Sequence, residues 1–205
     1  MITININFTV VQEDKDVISM VLKEIEGKSP EQLLMESGQL NQVPVNIEAI
    51  LENCGIKAIP TSFEKLESTP ELSDRGEILG LLLVHEEDVG LFYKASDSEH
   101  RQRFTMAHEL GHYCIHYGQA IQGNYIEFRS NMNCGEKKEI EANTFAGDLL
   151  IPEQSLRNII NRLLKPTLQG LADIFDVSTS VMRARLELLM IPYYDDRLQK
   201  MIYPE

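Results

Sequence analysis

The sequence predicts an α+β fold, a helical core around a small β-sheet followed by a C-terminal helical pair with a helix-turn-helix outline. Three features point to it. Segments 101–118 and 139–152 repeat their apolar residues with a helical period, the second ending at Pro152. Short runs at 56–59, 77–84 and 89–95 are apolar enough for strands. The run PTLQGLADIFDVSTSVMRARLELL then gives two short helical patterns separated by a tight turn. The organisation expected is an N-terminal extension (1–44), a core (45–155) and a C-terminal helical segment (156–205) packed on that core.

In chain order, MITININFTV alternates like a strand, and an acidic helical region follows from Asp14 to Gly27. Ser29 to Pro44, with its Pro, Gln and Ser content, is left open between a loop and a short helix. Asn46 is placed to cap a helix through Ile47, Ile50 and Leu51, ending at Gly55. Strands follow at Ile56–Ile59, Glu77–Val84 and Val89–Ala95, with His85-Glu86-Glu87-Asp88 as the turn between the last two. A helix from about Arg101 buries Phe104, Ala107, Leu110, Cys114 and Ile115. In the C-terminal pair a first helix ends near Phe175 and Ser178 caps the second, with Leu171, Ala172, Val177, Val181 and Leu186 packing the two together.

The helix from Arg101 carries His108-Glu109-Leu110-Gly111-His112, an HExxH pattern. A helix turns about 100° per residue, so His108 and His112 fall about 40° apart on one face and can share one ion. Glu109 lies on the flank of that face, placed to take a proton from water on the metal without ligating it. Three ionisable side chains on a largely buried helix are costly unless something binds them. Gly111 costs about 1 kcal/mol in a helix interior and asks for a reason such as close backbone approach.

A catalytic zinc takes three protein ligands and leaves one position for water, so a third ligand must come from elsewhere. The second helix offers Glu139 and Glu141. Taken from Glu139, residues Ala142, Asn143, Ala146 and Leu150 lie within about 60°, whereas Glu141 and Asp148 project to the other side. Glu139 therefore shares its face with small residues and is favoured as the ligand; Glu141 is read as solvated. His116, one turn beyond His112, is read as a packed or supporting histidine, and His85 and His100 have no connection to the site.

RFTMAHELGHYCIH followed by EIEANTFAGDLLIP resembles the ImmA/IrrE family of metallopeptidases, over a stretch from about Val45 to Ile191. The resemblance implies a zincin-like core, His108, His112 and Glu139 as Zn2+ ligands and Glu109 as the general base. Asn143 matches a position that could hold a ligand histidine by a hydrogen bond. Such peptidases are similar to regulators of phages, mobile elements or stress responses that inactivate a helix-turn-helix repressor by cleaving it. The implied partner is therefore a protein substrate, a DNA-binding repressor supplied as a separate chain, because no helix-turn-helix precedes the peptidase motif. The extended metzincin pattern is excluded by Ile115 and Gly118, where it needs glycine and histidine.

Net charge is −13 over 205 residues, and residues 1–100 hold 7 basic and 19 acidic side chains, most of the excess. Such a surface repels nucleic acid and either steers a basic polypeptide inward or simply maintains solubility. No nucleic-acid or membrane partner is expected: the longest apolar stretch, Ile78–Val84, is too short to span a bilayer. With no signal-peptide pattern, the expected location is cytoplasmic. Cys54, Cys114 and Cys134 suggest no disulfide framework; Cys114 is read as core, and Cys134 as a loop residue with a regulatory thiolate on zinc as the alternative. Tyr113, Tyr117 and Tyr125 are loose candidates for oxyanion stabilisation. The competing function is a non-catalytic zinc-containing transcriptional regulator binding DNA or a repressor, with Arg183 and Arg185 against phosphates. An intact Glu109 favours hydrolysis, since a structural zinc needs no base.

Overall fold

The computed structural model describes residues 25–67, 78, 80–85, 88–117, 125–126 and 137–204. The expected strand at 1–10, most of the helical region from Asp14, and Cys134 lie outside the described residues. The segment left open between loop and helix forms α1 (Pro30–Glu36), opened by a capping box in which Ser29 and Gln32 bond reciprocally to each other's backbone N–H. Asn46 caps α2 (Ile47–Asn53), its Oδ1 accepting from Ala49 N at 3.0 Å, and buried Ile47, Ile50 and Leu51 turn one face inward.

Strands β1 (Ile56–Thr61), β2 (Gly80–His85), β3 (Asp88–Lys94) and β4 (Tyr125–Ile126) form one sheet in the order β1-β3-β2-β4, with a short helix, α3 (Glu64–Glu67), after β1. β1 runs parallel to β3, while β2 is antiparallel to both β3 and β4. Ile56, Leu82, Val89 and Leu91 of this sheet are buried in the same core as Met106, Ala107 and Leu110 of the next helix. That helix, α4 (Glu99–His112), starts two residues earlier than expected, after Ser98, and Gln102 ties its start to the carbonyls of Ala95 and Asp97. It continues into a π-helical turn, Tyr113–Tyr117.

Helix α5 (Lys137–Leu150) packs directly on α4. Gly111 makes this possible: a Cβ there would lie 3.0–3.1 Å from Phe145 Cβ, Cγ and Cδ1. Close approach was the expected reason for this glycine, and its partner is the ring of Phe145. Pro152 starts α6 (Glu153–Ile160), which has no counterpart among the expected elements.

Thr167 caps α7 (Leu168–Phe175) and Ser178 caps α8 (Thr179–Leu188), with Asp176 between them in the left-handed region at φ 52°. Asp, with its short polar side chain, tolerates this conformation better than most residues. Asp176 also fastens the turn to α4, since its carbonyl and carboxylate both lie 3.0 Å from Arg103 Nε, while Arg103 reaches Val45 O at 2.9 Å. His100, read as unconnected to the site, lies 3.1 Å from the same carboxylate. The C-terminal segment is not wholly helical, because β5 (Tyr193–Asp195) and β6 (Lys200–Ile202) close it as an antiparallel hairpin.

Arg183 and Arg185, considered for phosphates, are engaged within the chain. Arg183 donates to Tyr193 Oη and to the buried Asp195 carboxylate at 2.9 and 2.8 Å. Arg185 is 6% exposed, paired with Asp148 and donating to Ile151 O at 3.1 Å. Among the described residues no helix is long and apolar enough to cross a membrane.

The α4–α5 contact predicts that Gly111→Ala destabilises the protein by about 1 kcal/mol, because over-packing costs about 1–3 kcal/mol and the gain in helix propensity offsets about 1. Chemical denaturation should show this penalty shrinking when Gly111→Ala is combined with Phe145→Ala, which removes Cγ and Cδ1, a coupling that independent sites would lack.

Candidate metal centre

Helices α4 and α5 bring His108, His112 and Glu139 together, and no other group of three His, Cys, Asp or Glu side chains among the described residues is placed to hold an ion. His108 Nε2 and His112 Nε2 are 2.8 Å apart. Glu139 Oε1 lies 3.1 Å from His112 Nε2, and its Oε2 lies 3.4 Å from His108 Nε2. Both imidazoles are fully buried, and the Glu139 side chain is 14% exposed.

Hydrogen bonds on the far side of each ring fix which nitrogen faces inward. Asn143 Oδ1 lies 3.0 Å from His108 Nδ1, so that nitrogen carries the proton and Nε2 presents its lone pair to the site. His112 Nδ1 lies 3.1 Å from His116 Nδ1, and His116 Nε2 lies 2.9 Å from Glu141 Oε2. One direction satisfies every group: His112 donates to His116, and His116 donates to the Glu141 carboxylate, which can only accept. His112 Nε2 is then also a lone-pair donor. Two imidazoles and a carboxylate, all offering electron pairs to one point, match a divalent cation and are poorly matched to each other.

Glu141 is therefore not simply solvated. It does project away from the face of Glu139, as the helical angles require, but there it meets His116 on the π-helical turn beyond α4. The bond from His116 is the main cause lowering its carboxyl below the ordinary value, with Lys137 3.4 Å away adding to it. The i, i+4, i+8 spacing of His108, His112 and His116 signalled a third histidine on this face. Nothing in the spacing of Glu141 signalled its partner.

Glu109, next to His108 on the same helix, is 1% exposed. Its carboxylate lies against the first residue of β2: a Cβ at Gly80 would fall 2.6 Å from Glu109 Oε1 and from Thr105 Cγ2. The sheet thus closes over the Glu109 carboxylate only because residue 80 has no side chain. Cys114 is core, as expected, and burial pushes its thiol up, keeping it protonated and inert. Tyr113 is 3% exposed, with burial pushing its phenol up to about 12, so it is a packing residue and not a donor to a substrate. The side chains of Tyr117 and Tyr125 lie outside the described residues.

Comparison with known proteins gives one match of consequence: the family model described as the IrrE N-terminal-like domain, Peptidase_M78, matches residues 57–187. This span contains all the residues brought together here. No curated protein matches the chain closely enough to count as a relative.

His108→Ala should abolish stoichiometric zinc binding, and His116→Phe, which leaves all three candidate ligands in place, should weaken it about 10–100-fold, the usual cost of losing a supporting hydrogen bond. Competition against a chromogenic chelator measures both. Glu141→Gln, which keeps an acceptor oxygen but loses its charge, should fall between His116→Phe and wild type.

Proposed function

We propose that this chain, which belongs to the IrrE N-terminal-like metallopeptidase family, is a zinc-dependent endopeptidase that cleaves a regulatory protein, a DNA-binding helix-turn-helix repressor. The observation that carries the catalytic part is the convergence of His108, His112 and Glu139 beside a buried carboxylate that is not one of the three. A purely structural metal would need no such neighbour. Two nitrogens and one oxygen favour a borderline metal such as zinc over the hard, all-oxygen preference of calcium or magnesium.

When bound, zinc supplies Lewis acidity, lowering the pKa of the attacking water to about 7 and polarising the scissile carbonyl. The remaining work belongs to the chain. Glu109 accepts a proton from the attacking water as its oxygen bonds to the carbonyl carbon, then returns that proton to the leaving nitrogen as the C–N bond breaks. Asn143 and His116 keep His108 and His112 oriented throughout, and the Gly80 backbone confines Glu109. β4, at the end of the strand order among the described residues, is a natural place for an extended substrate to add a strand. The repressor substrate is supported by the family resemblance and by charge: a net charge of −13 favours encounter with a basic polypeptide, as DNA-binding proteins are.

Glu109→Gln should fold and bind zinc like the wild type while its cleavage of the target falls about 10²–10⁴-fold, the range that a general base supplies. Cells expressing wild type and Glu109→Gln should differ in one repressor-like protein cut only by the former. Full biological activity in Glu109→Gln would reject hydrolysis as the function.

A further inference from the structure

A groove of about 430 Å³ lies between α5 and α8, and nothing in the metal centre itself requires it. Ile140 and Gly147 line it from α5, Val181, Ala184 and Leu188 line it from α8, and Phe104 of α4 lines it next to the site. Its walls are mainly apolar, and Ile140 and Leu188 at its edge are 54% and 57% exposed. Residue 147 has no side chain and residue 184 only a methyl group, which leaves the space open.

Two links connect the groove to the metal centre. Asn143 lines it and holds His108 Nδ1 at 3.0 Å, and the Phe104 ring lies 6.3 Å, centre to centre, from the His108 ring. Ile140 is also the immediate neighbour of Glu139. The groove therefore adjoins the flank of the site on which Asn143 and Phe104 meet His108. Arg185, the one charged group on the groove, is neutralised by Asp148 and occupied by Ile151 O. Apart from the paired Arg185, a carboxylate or ammonium entering the groove would exchange water for the neutral side chains of Asn143, Thr144 and Ser180 alone, whereas an aliphatic side chain would bury apolar area on both walls.

We infer that this groove is the specificity pocket of the site, and that it takes a bulky aliphatic side chain, of the leucine or methionine type, from the substrate residue flanking the scissile bond. The assignment rests on the peptidase reading and names its substrate preference. It also gives α8 a part in selecting the substrate.

The test uses zinc-loaded full-length protein and three short peptide hydroxamates that differ only in the side chain beside the chelating group: isobutyl, hydrogen or carboxymethyl. Calorimetry should find the isobutyl compound bound about tenfold or more tightly than the hydrogen compound, with the carboxymethyl compound weakest. Ala184→Phe, which fills the groove, should erase the isobutyl advantage without changing zinc content. Leu188→Glu alters an exposed rim position that folding tolerates, and should lower the isobutyl advantage as well. Equal affinity of wild type for the isobutyl and hydrogen compounds, or an advantage that survives both substitutions, overturns the groove assignment and leaves the peptidase standing. A zinc-loaded protein that binds none of the three overturns the peptidase, and the groove assignment with it.

Discussion

The close approach of α4 and α5 is the constraint on which the candidate metal centre depends. One helix brings two imidazoles and the other a carboxylate, and two ring nitrogens 2.8 Å apart with a carboxylate oxygen 3.1–3.4 Å from each cannot come from helices held apart by ordinary side chains. Gly111 against Phe145 sets the separation, with Ala142 and Ala146 of α5 fully buried nearby in sequence. A glycine that weakens its own helix by about 1 kcal/mol is thus tolerated because the contact it permits lies one residue from His112.

Polarity is the second constraint, and it is met by residues that touch no metal. Each ring nitrogen facing away from the centre has a partner, so each facing inward is a lone-pair donor. For His108 one amide suffices. For His112 the partner is another histidine, which is itself ambiguous until Glu141 accepts from its far side. The two supports therefore differ in kind: Asn143 acts within one bond, while Glu141 acts through His116 and depends on the π-helical turn that presents it.

Much of this was legible in the sequence because helical geometry is nearly context-free. The shared face of His108 and His112, the separation of Glu139 from Glu141 and the caps at Asn46 and Ser178 all follow from rise and angle along one helix. The strands at 56, 80 and 88 were readable from apolar runs, though not their order, since nothing local tells β1 to pair with β3 across the intervening β2. Contacts between helices were the blind spot. Glu141 was assigned to solvent because its own helix points it away from the ligand face, and only the fold supplies His116 on that side. The hairpin at 193–202 was missed for a related reason: three-residue strands are too short to show a period.

The C-terminal helices show how a familiar outline can be satisfied by packing alone. Thr167 and Ser178 cap the pair, Asp176 makes the tight turn, and Leu171, Ala172, Phe175 and Leu186 are buried, so every feature suggesting a helix-turn-helix has an internal use. A DNA-reading helix keeps its arginines at the surface for phosphates. Here Arg185 is buried against Asp148 of α5, and Arg183 is spent on the Tyr193–Asp195 hairpin. The turn itself is anchored by Arg103, on the same helix as His108 and just over one turn before it. Arg103 thus ties the turn before α8 to α4 while Arg185 ties α8 itself to Asp148 of α5, and a gap with apolar walls held by such anchors can discriminate among side chains, where a mobile appendage could not.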